Sequence, residues 1–385
     1  MPSMRAACLA AALVPMITNA AEVPVWFGTY TTSTSGSEGI YVSRFDPENG
    51  TLTPPRLAGP ATNPSFLAFH PRLPMLYAVS EIETADGIPG GAVEAFAVDE
   101  TTGALASRGA ESTGGAGPCH VTVDAQGRVV LAANYGGGSV ACLGLTEDGL
   151  LRPLVTGSGL VRHRDDRVWT QGSVAGRQDK PHAHSVDVVD DRVVVSCDLG
   201  LNRILMHRLD PETATLEAFR AETLLHGRGP RHLAFHPHGS RAWCVNELDL
   251  SVTGFTFDPR LCWLTEASHH STLPPDVTDR TGFSCAEIAV HPDGRFVYAS
   301  NRGHDSIAMF RIVDDTTDLE WLGTEPTRAK TPRHFAIAPG GRFLLVAGQA
   351  ANLVNVFAID ADTGRLSFTG TSVAVPSPVC IAFRP

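Results

Sequence analysis

Short apolar runs, in which hydrophobic and polar residues alternate, recur along most of this chain, and turn-forming residues separate them. Alternation with a period of two, rich in Val, Ile, Phe and Tyr, is typical of β-strands with one buried face. One repeated phrase consists of a Pro or Cys, one to three further residues, an alternating run and a turn. It occurs at residues 64–71, 118–124, 181–188, 230–237, 285–292, 332–339 and 378–383. A polar turn and a second apolar run follow most copies, which predicts antiparallel hairpins.

A second, independent phrase is an acidic turn that ends in Leu. It occurs at residues 46–52, 99–105, 147–151, 210–216, 258–264, 314–319 and 360–366. We expect this turn to connect the third and fourth strands of each repeat. The first phrase recurs about every 52 residues, close to the period of propeller repeats. Two phrases that both occur seven times therefore predict an all-β fold, a seven-bladed β-propeller of four-stranded antiparallel blades.

The two ends of the chain indicate how the ring closes. The repeats begin with an acidic turn at 46–52 and end with a Pro phrase at 378–383. The last apolar strand therefore has no blade of its own, and the N-terminal strands have no first strand. Pairing them in one composite blade, with the C-terminal strand innermost, leaves no open sheet edge at the seam. Residues 22–385 are thus predicted to form a single propeller domain.

Residues 1–21 are predicted to be a leader segment. Arg5 is followed by an apolar stretch over 6–17 and by small residues over 18–21, which is typical of an export signal. This pattern predicts a periplasmic or secreted protein. Cytoplasmic localisation is the alternative, because the cysteines lack a regular short spacing and are expected to be buried thiols, as in a reducing compartment.

Charge and motif content narrow the possible partners. The formal net charge of -11 argues against a nucleic-acid partner. No apolar run in the chain reaches the roughly 18 residues that a membrane span needs, so no membrane partner is predicted. The chain contains neither G-x-S-x-G nor a phosphate-binding glycine loop. Two short histidine motifs, His182-x-His184 and His269–His270, could each bind a metal, but no further Cys or His residues at a suitable spacing complete a metal site. We therefore predict no cofactor and no metal, although these observations do not exclude a catalytic metal.

Polar residues at equivalent positions of the repeats predict a site at one mouth of the central channel. The residue just before each alternating run is Phe66, His120, His184, His232, Glu287, His334 or Cys380. The residue just after each second run is Tyr30, Glu81, Tyr135, Leu199, Glu247, Arg302 or Gln349. Because the start of one strand and the end of its antiparallel neighbour meet, both sets should face the same mouth. Arg231 and Arg333 immediately precede two members of the first set. The alternative is that each His only caps backbone groups or fills a wet channel.

This set of residue types suits the opening of an anionic ester, and a lactone needs no covalent nucleophile. Arg pairs with carboxylate or phosphate in a forked geometry. His or Glu can activate water, and Arg or His can stabilise an oxyanion. A charged, Gly-rich insertion at 157–180 is a further candidate for ligand binding, as loops on a rigid scaffold often are.

At these residues the chain resembles the seven-bladed propeller lactonases, which include bacterial 6-phosphogluconolactonases and fungal carboxymuconate cycloisomerases. The resemblance covers residues 23–385 and rests on motifs such as KPHAHSV (180–186), GPRHLAFHP (229–237), VNE (245–247) and SNRG (300–303). It implies that His184, Arg231, Glu247 and Arg302 form the active site. We predict that six further residues bind the substrate: His120, His182, His232, Glu287, Arg333 and Gln349.

The resemblance implies a lactonase that opens a sugar-type lactone, 6-phospho-glucono-1,5-lactone or a related aldonolactone. We expect the protein to be a monomer. His184 or Glu247 would act as general acid or base, and Arg231 and Arg302 would hold anionic groups. One alternative is a cycloisomerase acting on a muconolactone with the same residues, and another is a non-catalytic binding platform. A functional export leader would favour an unphosphorylated lactone.

Overall fold

The computed structural model describes residues 22–85, 88–163, 174–225, 227–258 and 260–385, so the predicted leader lies outside the described part. These residues form seven antiparallel blades, which confirms the predicted propeller. Blade one has Pro378–Phe383 innermost, then Val23–Thr29 and Gly39–Asp46, with Thr51–Leu52 and Arg56–Pro60 outermost.

The other blades follow in chain order, each from its first (innermost) to its fourth (outermost) strand. Blade two comprises Leu67–Phe69, Met75–Ser80, Ala92–Val98 and Leu105–Ser112, and blade three Pro118–Val123, Val129–Asn134, Ser139–Gly144 and Leu160–Arg162. Blade four comprises Ala183–Asp190, Val193–Asp198, Arg203–Asp210 and Thr215–Thr223, and blade five Pro230–Phe235, Arg241–Asn246, Ser251–Asp258 and Trp263–Ser271. Blade six comprises Ser284–Val290, Phe296–Arg302, Ser306–Ile312 and Leu319–Pro326, and blade seven Pro332–Ile337, Phe343–Gly348, Leu353–Ile359 and Leu366–Ala374. A two-stranded hairpin (Thr84–Ala85 and Ile88–Pro89) and a 3-10 turn (Gln349–Ala351) lie outside the blades.

The ring closes as the ends of the chain predict. The C-terminal strand pairs antiparallel with the first N-terminal strand, with Val25 opposite Phe383 and Phe27 opposite Ile381. Phe27 and Ile381 are buried in the hydrophobic cluster that joins blade one to blade seven. The closing strand therefore contributes both backbone hydrogen bonds and core contacts.

The acidic turns contact the second strands of neighbouring blades. The acidic turns connect third and fourth strands, as predicted. An aromatic residue on a second strand donates a hydrogen bond to a carbonyl of the acidic turn in the next blade. The donor–acceptor pairs are Trp26–Gly103 (2.9 Å), Tyr77–Gly149 (2.7 Å), Trp243–Thr317 (2.9 Å) and Tyr298–Gly364 (2.9 Å). These bonds satisfy the polar ends of otherwise buried aromatic side chains.

The His-Pro turns form a second contact between blades. The His236 ring nitrogen Nε2 lies 3.1 Å from the Gly294 carbonyl, and His291 Nε2 lies 2.8 Å from the Gly341 carbonyl. Gly294 has a φ of 75°, and a Cβ there would lie 2.6 Å from the His236 ring. Glycine is required because it supplies both the left-handed backbone and the space for the ring.

The core consists of clusters between neighbouring sheets, and most of its side chains come from second and third strands. Trp243, Val297 and Phe310, for example, are buried together between blades five and six. Within the described residues, no helix is long and apolar enough to span a membrane.

Candidate active site

β-Bulges at the start of the first strands direct several side chains toward the centre of the ring. The pairing of first and second strands shifts register between Pro118 and His120, between Ala183 and Ser185, between Pro230 and His232, and between Pro332 and His334. A bulge leaves one extra residue on its strand and re-aims that side chain. The extra residues are Cys119, His184, Arg231 and Arg333, and each lines the central cavity or its deep extension.

The register corrects the predicted alignment in blade four. Ala183 pairs with Asp198 as Pro230 pairs with Asn246. His184 is therefore equivalent to Arg231, and the prediction that aligned it with His232 was wrong by one residue. The reason is that blade four has no Pro at this point, and both histidines of H-A-H-S-V fit an alternating pattern.

The predicted histidines and Glu287 pack together below the cavity and fill the channel. His232 Nδ1 lies 3.0 Å from Glu287 Oε2, and His334 Nε2 lies 3.3 Å from the same oxygen. The ring of His120 lies between those of Phe66 and His232, at centroid distances of 4.1 Å and 5.2 Å. Burial lowers the pKa of His334 to about 4, although Glu287 opposes this. Three predicted binding residues, His120, His232 and Glu287, thus support the floor of the site together with His334.

Arg231 connects this floor to the cavity and fixes the tautomer of His232. Its Nη1 donates to His232 Nε2 at 3.0 Å and to the Ala286 carbonyl at 2.6 Å. His232 Nε2 is therefore an acceptor, and its Nδ1–H donates to Glu287. Burial and then the Arg231 charge hold the pKa of His232 well below its usual value, so the ring is neutral.

Glu247 is the charged centre of the cavity. Its carboxylate oxygens lie 2.5 Å from Arg177, 3.0 Å from Arg302 and 3.1 Å from Arg231. Burial opposes its ionisation, but the three guanidinium groups outweigh burial and hold the pKa of Glu247 well below its usual range. The backbone is fixed as well, because the Glu247 N–H donates to the Gly229 carbonyl at 2.8 Å.

Arg177 is a site residue that was not predicted from the sequence. It belongs to the insertion at 157–180, which was predicted to serve binding, and part of that loop (164–173) lies outside the described residues. Besides Glu247, its guanidinium contacts the Tyr135 hydroxyl at 3.4 Å. Its side chain is 39% exposed, whereas that of Arg302 is 14% exposed. The insertion thus contributes the most accessible cation of the site.

His184 lies inside the cavity beside Glu247, as predicted. Its Nε2 is 3.8 Å from Glu247 Oε2, and its Nδ1 is 3.7 Å from the Cys119 sulfur. Burial, then Arg231, lowers the pKa of His184 well below its usual value, so the imidazole is neutral near pH 7. Burial also raises the pKa of Cys119, which therefore remains a thiol.

Two other predicted binding residues, His182 and Gln349, also lie outside the cavity lining. His182 stacks on the Tyr135 ring at 4.3 Å, and its Nδ1 donates to the Tyr135 carbonyl at 3.0 Å, so it supports Tyr135 from behind. Gln349 begins the 3-10 turn and is half-buried, and it is not among the described residues that line the cavity.

A second carboxylate, Glu81, lies across the cavity from Glu247 and has different partners. It accepts hydrogen bonds from the Tyr30 hydroxyl at 3.0 Å and 3.1 Å and from the Ser65 hydroxyl. The Arg333 guanidinium lies over the Tyr30 ring, 5.4 Å from its centroid. Tyr30 and Glu81 belong to the aligned polar set, but no functional role was predicted for them.

The cavity has a volume of about 320 Å³ and a surplus of positive charge. Its lining comprises Glu81, Cys119, Tyr135, Arg177, His184, Glu247, Ser284, Arg302 and Arg333, with Arg231 in the deep extension. Burial, then Arg333 and Arg302, lowers the pKa of Arg231 to about 10. Four guanidinium groups thus face two carboxylates, which favours an anionic ligand.

Other features are less suited to chemistry. Three larger grooves, of about 460, 700 and 480 Å³, lie beside acidic turns on blade margins and do not combine buried acids, bases and cations in this way. Across the described ranges, no group of three or more His, Cys, Asp or Glu residues could hold a metal ion.

Comparison with known proteins identifies relatives along nearly the whole chain. Residues 24–383 match the family described as "Lactonase, 7-bladed beta-propeller". The 6-phosphogluconolactonase of Bacillus subtilis is 35% identical over 93% of this chain and 97% of its own. That of Formosa agariphila is 30% identical over 81% of this chain and 86% of its own. The solved structure of the periplasmic gluconolactonase of Pseudomonas aeruginosa is 30% identical, covers 95% of this chain and 99% of its own, and has a TM-score of 0.85.

Proposed function

Because this chain belongs to the seven-bladed β-propeller lactonase family and is a lactone hydrolase, we propose that its substrate is an anionic sugar lactone, 6-phospho-glucono-1,5-lactone or a close relative. The observation that carries this proposal is the surplus of guanidinium groups around the central cavity. The named relatives differ on the phosphate: the Bacillus subtilis protein is a 6-phosphogluconolactonase and the Pseudomonas aeruginosa protein a gluconolactonase. The cavity charge favours the phosphorylated lactone for this chain.

In this proposal the phosphate binds near the cavity mouth, where Arg177 and Arg302 are the more accessible cations. A guanidinium group holds phosphate oxygens in a forked, charge-assisted geometry. Glu247 orients both arginines from behind, since its carboxylate contacts each of them. Its strongly lowered pKa makes it a poor proton acceptor, so orienting is its main role.

The lactone carbonyl then faces the inner part of the cavity, beside His184 and Arg333. Water attacks the carbonyl carbon, and the negative charge that develops on the carbonyl oxygen is stabilised by the nearby cations and by hydrogen bonds. Collapse of the intermediate breaks the bond to the ring oxygen, which takes up a proton. The product is an open-chain hydroxy acid.

The test compares hydrolysis of glucono-1,5-lactone with that of its 6-phosphate by pH-stat, after subtraction of the buffer background. We expect kcat/KM to be about 100-fold higher for the phosphate, because two charge-assisted contacts contribute roughly 3 kcal/mol. The preference should shrink as salt is added. Equal kcat/KM values would overturn the proposed substrate class. A muconolactone is included, and its isomerisation without water uptake would favour a cycloisomerase. No rate above background with any of the three would favour a binding platform.

A further inference from the structure

The two carboxylates that face the cavity differ in the groups that hold them. Glu247 is held by three guanidinium groups at 2.5 to 3.1 Å. The Glu81 oxygens accept hydrogen bonds from two neutral hydroxyls, those of Tyr30 and Ser65. Among the described residues, no Lys or Arg nitrogen lies within ion-pair distance of Glu81. A carboxylate paired with three cations resists protonation, whereas one held by hydroxyls can take a proton without losing an ion pair.

Glu81 also occupies the right place for a reacting group. It lines both the cavity and the narrow extension below it, as do Cys119 and Arg333. The cations at the cavity mouth, Arg177 and Arg302, line only the outer part. A substrate whose anionic group binds at the mouth therefore presents its other end to the inner part of the cavity, where Glu81 lies.

The backbone holds Glu81 rigidly in this position. Its N–H donates to the Asn63 carbonyl at 3.1 Å, and its own carbonyl accepts from Asn63 Nδ2 at 3.2 Å. Asn63 has a φ of 43°, a left-handed conformation that Asn tolerates better than most residues. The Tyr30 hydroxyl contacts both carboxylate oxygens, which limits rotation of the side chain. Such restraint is what a pre-organised catalytic group requires.

On this basis we propose that Glu81 is the general base of the lactone hydrolysis and that Tyr30 is its positioning residue. The inference rests on the proposed function and assigns its proton-transfer step. Glu81 accepts a proton from the attacking water as the water oxygen bonds to the carbonyl carbon. The protonated Glu81 then returns that proton to the ring oxygen as the carbon–oxygen bond breaks. One water is consumed and the carboxylate is regenerated.

The experiment measures kcat and KM of Glu81→Gln on both the phosphorylated and the unphosphorylated lactone. We expect kcat to fall about 100- to 10 000-fold with KM changed less than about 3-fold, because general base catalysis acts on the transition state. The loss should appear with both lactones, since the proton transfer occurs at the ester and not at the phosphate. Glu83→Gln is the matched control, because Glu83 is an exposed carboxylate two residues away, and its kcat should be unchanged.

Two further variants separate a catalytic role from a structural one. Exogenous formate should restore part of the kcat of Glu81→Ala, because formate can enter the vacated space and accept the proton. Tyr30→Phe should lower kcat about 10-fold with an unchanged KM, since the carboxylate then rotates freely. If Glu81→Gln does not fold, the formate rescue and Tyr30→Phe decide the question.

A kcat of Glu81→Gln within 3-fold of wild type would overturn the assignment, and so would a folded Glu81→Ala that formate does not rescue. The proposed substrate is judged separately. If the wild-type enzyme shows no preference for the phosphate but Glu81→Gln is inactive, the substrate proposal fails and the assignment of Glu81 stands.

Discussion

Glu247 follows the second strand of blade five and Arg302 ends the second strand of blade six, at equivalent positions, and their side chains form an ion pair of 3.0 Å across the cavity. Two neighbouring repeats thus supply opposite charges at one structural position. The pair keeps the Arg302 guanidinium at the cavity, and the same nitrogen, Nη2, also donates to the Cys285 carbonyl at 2.8 Å. Arg302 is therefore pre-organised for an anionic group that approaches from the mouth.

Replacing Arg302 with Ala tests this anion-binding role. We expect KM for the phosphorylated lactone to rise about 10- to 100-fold and KM for the neutral lactone to change little, because one charge-assisted contact is lost. Steady-state kinetics on both substrates provide the measurement. Arg328→Ala is the control, because Arg328 is exposed on the surface and pairs with Glu325 there. Equal losses for the two lactones would contradict the role.

Removing residues 379–385 tests the closure of the ring. The deletion takes away the innermost strand of blade one, including the buried Val379, Cys380 and Ile381. We expect the truncated protein not to unfold cooperatively, whereas Ile381→Ala should lower the free energy of unfolding by about 2–5 kcal/mol, as for other buried large-to-small changes. Thermal unfolding followed by circular dichroism measures both. A truncated protein with the wild-type Tm would refute a closing role for this strand.

His207 lies outside the cavity and provides a test of acid sensitivity. Its Nε2 is 2.8 Å from the Ser196 hydroxyl, and burial, then His163, lowers the pKa of His207 from 6.5 to about 3. The unfolded chain therefore binds a proton below pH 6.5 that the folded protein does not bind, so stability falls as the pH is lowered. Between pH 7 and pH 5 this residue should account for a loss of roughly 2 kcal/mol.

Urea unfolding of wild type and His207→Gln at both pH values measures this contribution. The variant should show a smaller difference between the two pH values, whatever its absolute stability. His238→Gln, which changes an exposed histidine, should retain the wild-type difference. An identical pH dependence of His207→Gln and wild type would mean that His207 does not carry the effect.

Export of the protein remains a prediction from its N-terminal residues. If residues 1–21 are a cleaved leader, N-terminal sequencing of the mature protein should give a start near Ala21 or Glu22. Fractionation should then find the protein outside the cytoplasm. A mature protein that starts at Met1 or Pro2 would contradict export and would be consistent with a cytoplasmic sugar phosphate as substrate.

The ring could be predicted from the sequence because each repeat contains the residues that its own strands and turns need. Every blade needs a turn between its third and fourth strands, and Trp243 and Tyr298 each donate a hydrogen bond to a carbonyl of the acidic turn in the next blade. Bulges are harder to predict from the sequence. When two nearby polar residues could each be the extra residue of the bulge, the alternating pattern does not show which of them it is. For this reason the predicted alignment of His184 with the other blades was wrong by one position.

Two site residues were not predicted because their roles arise from contacts between segments that are distant in the sequence. Arg177 lies 70 positions before Glu247, in an insertion with no counterpart in the other repeats, so no alignment of blades could place it. Glu81 occupied an aligned position, but its importance lies in having hydroxyl partners where Glu247 has guanidinium partners. That contrast becomes visible only when Tyr30 and Ser65 are placed around it.

The central cavity and the residues around it draw on every blade, from Tyr30 in blade one to Arg333 in blade seven. No local part of the chain can therefore form the site by itself, and a blade that opens removes a wall of it. A bound anion in turn favours the state in which all seven sheets are docked, so ligand binding and the integrity of the whole ring are thermodynamically linked. Activity therefore depends on the whole ring. A substitution at a contact between distant blades lowers the fraction of molecules with a closed ring, and so it lowers the fraction that can bind substrate.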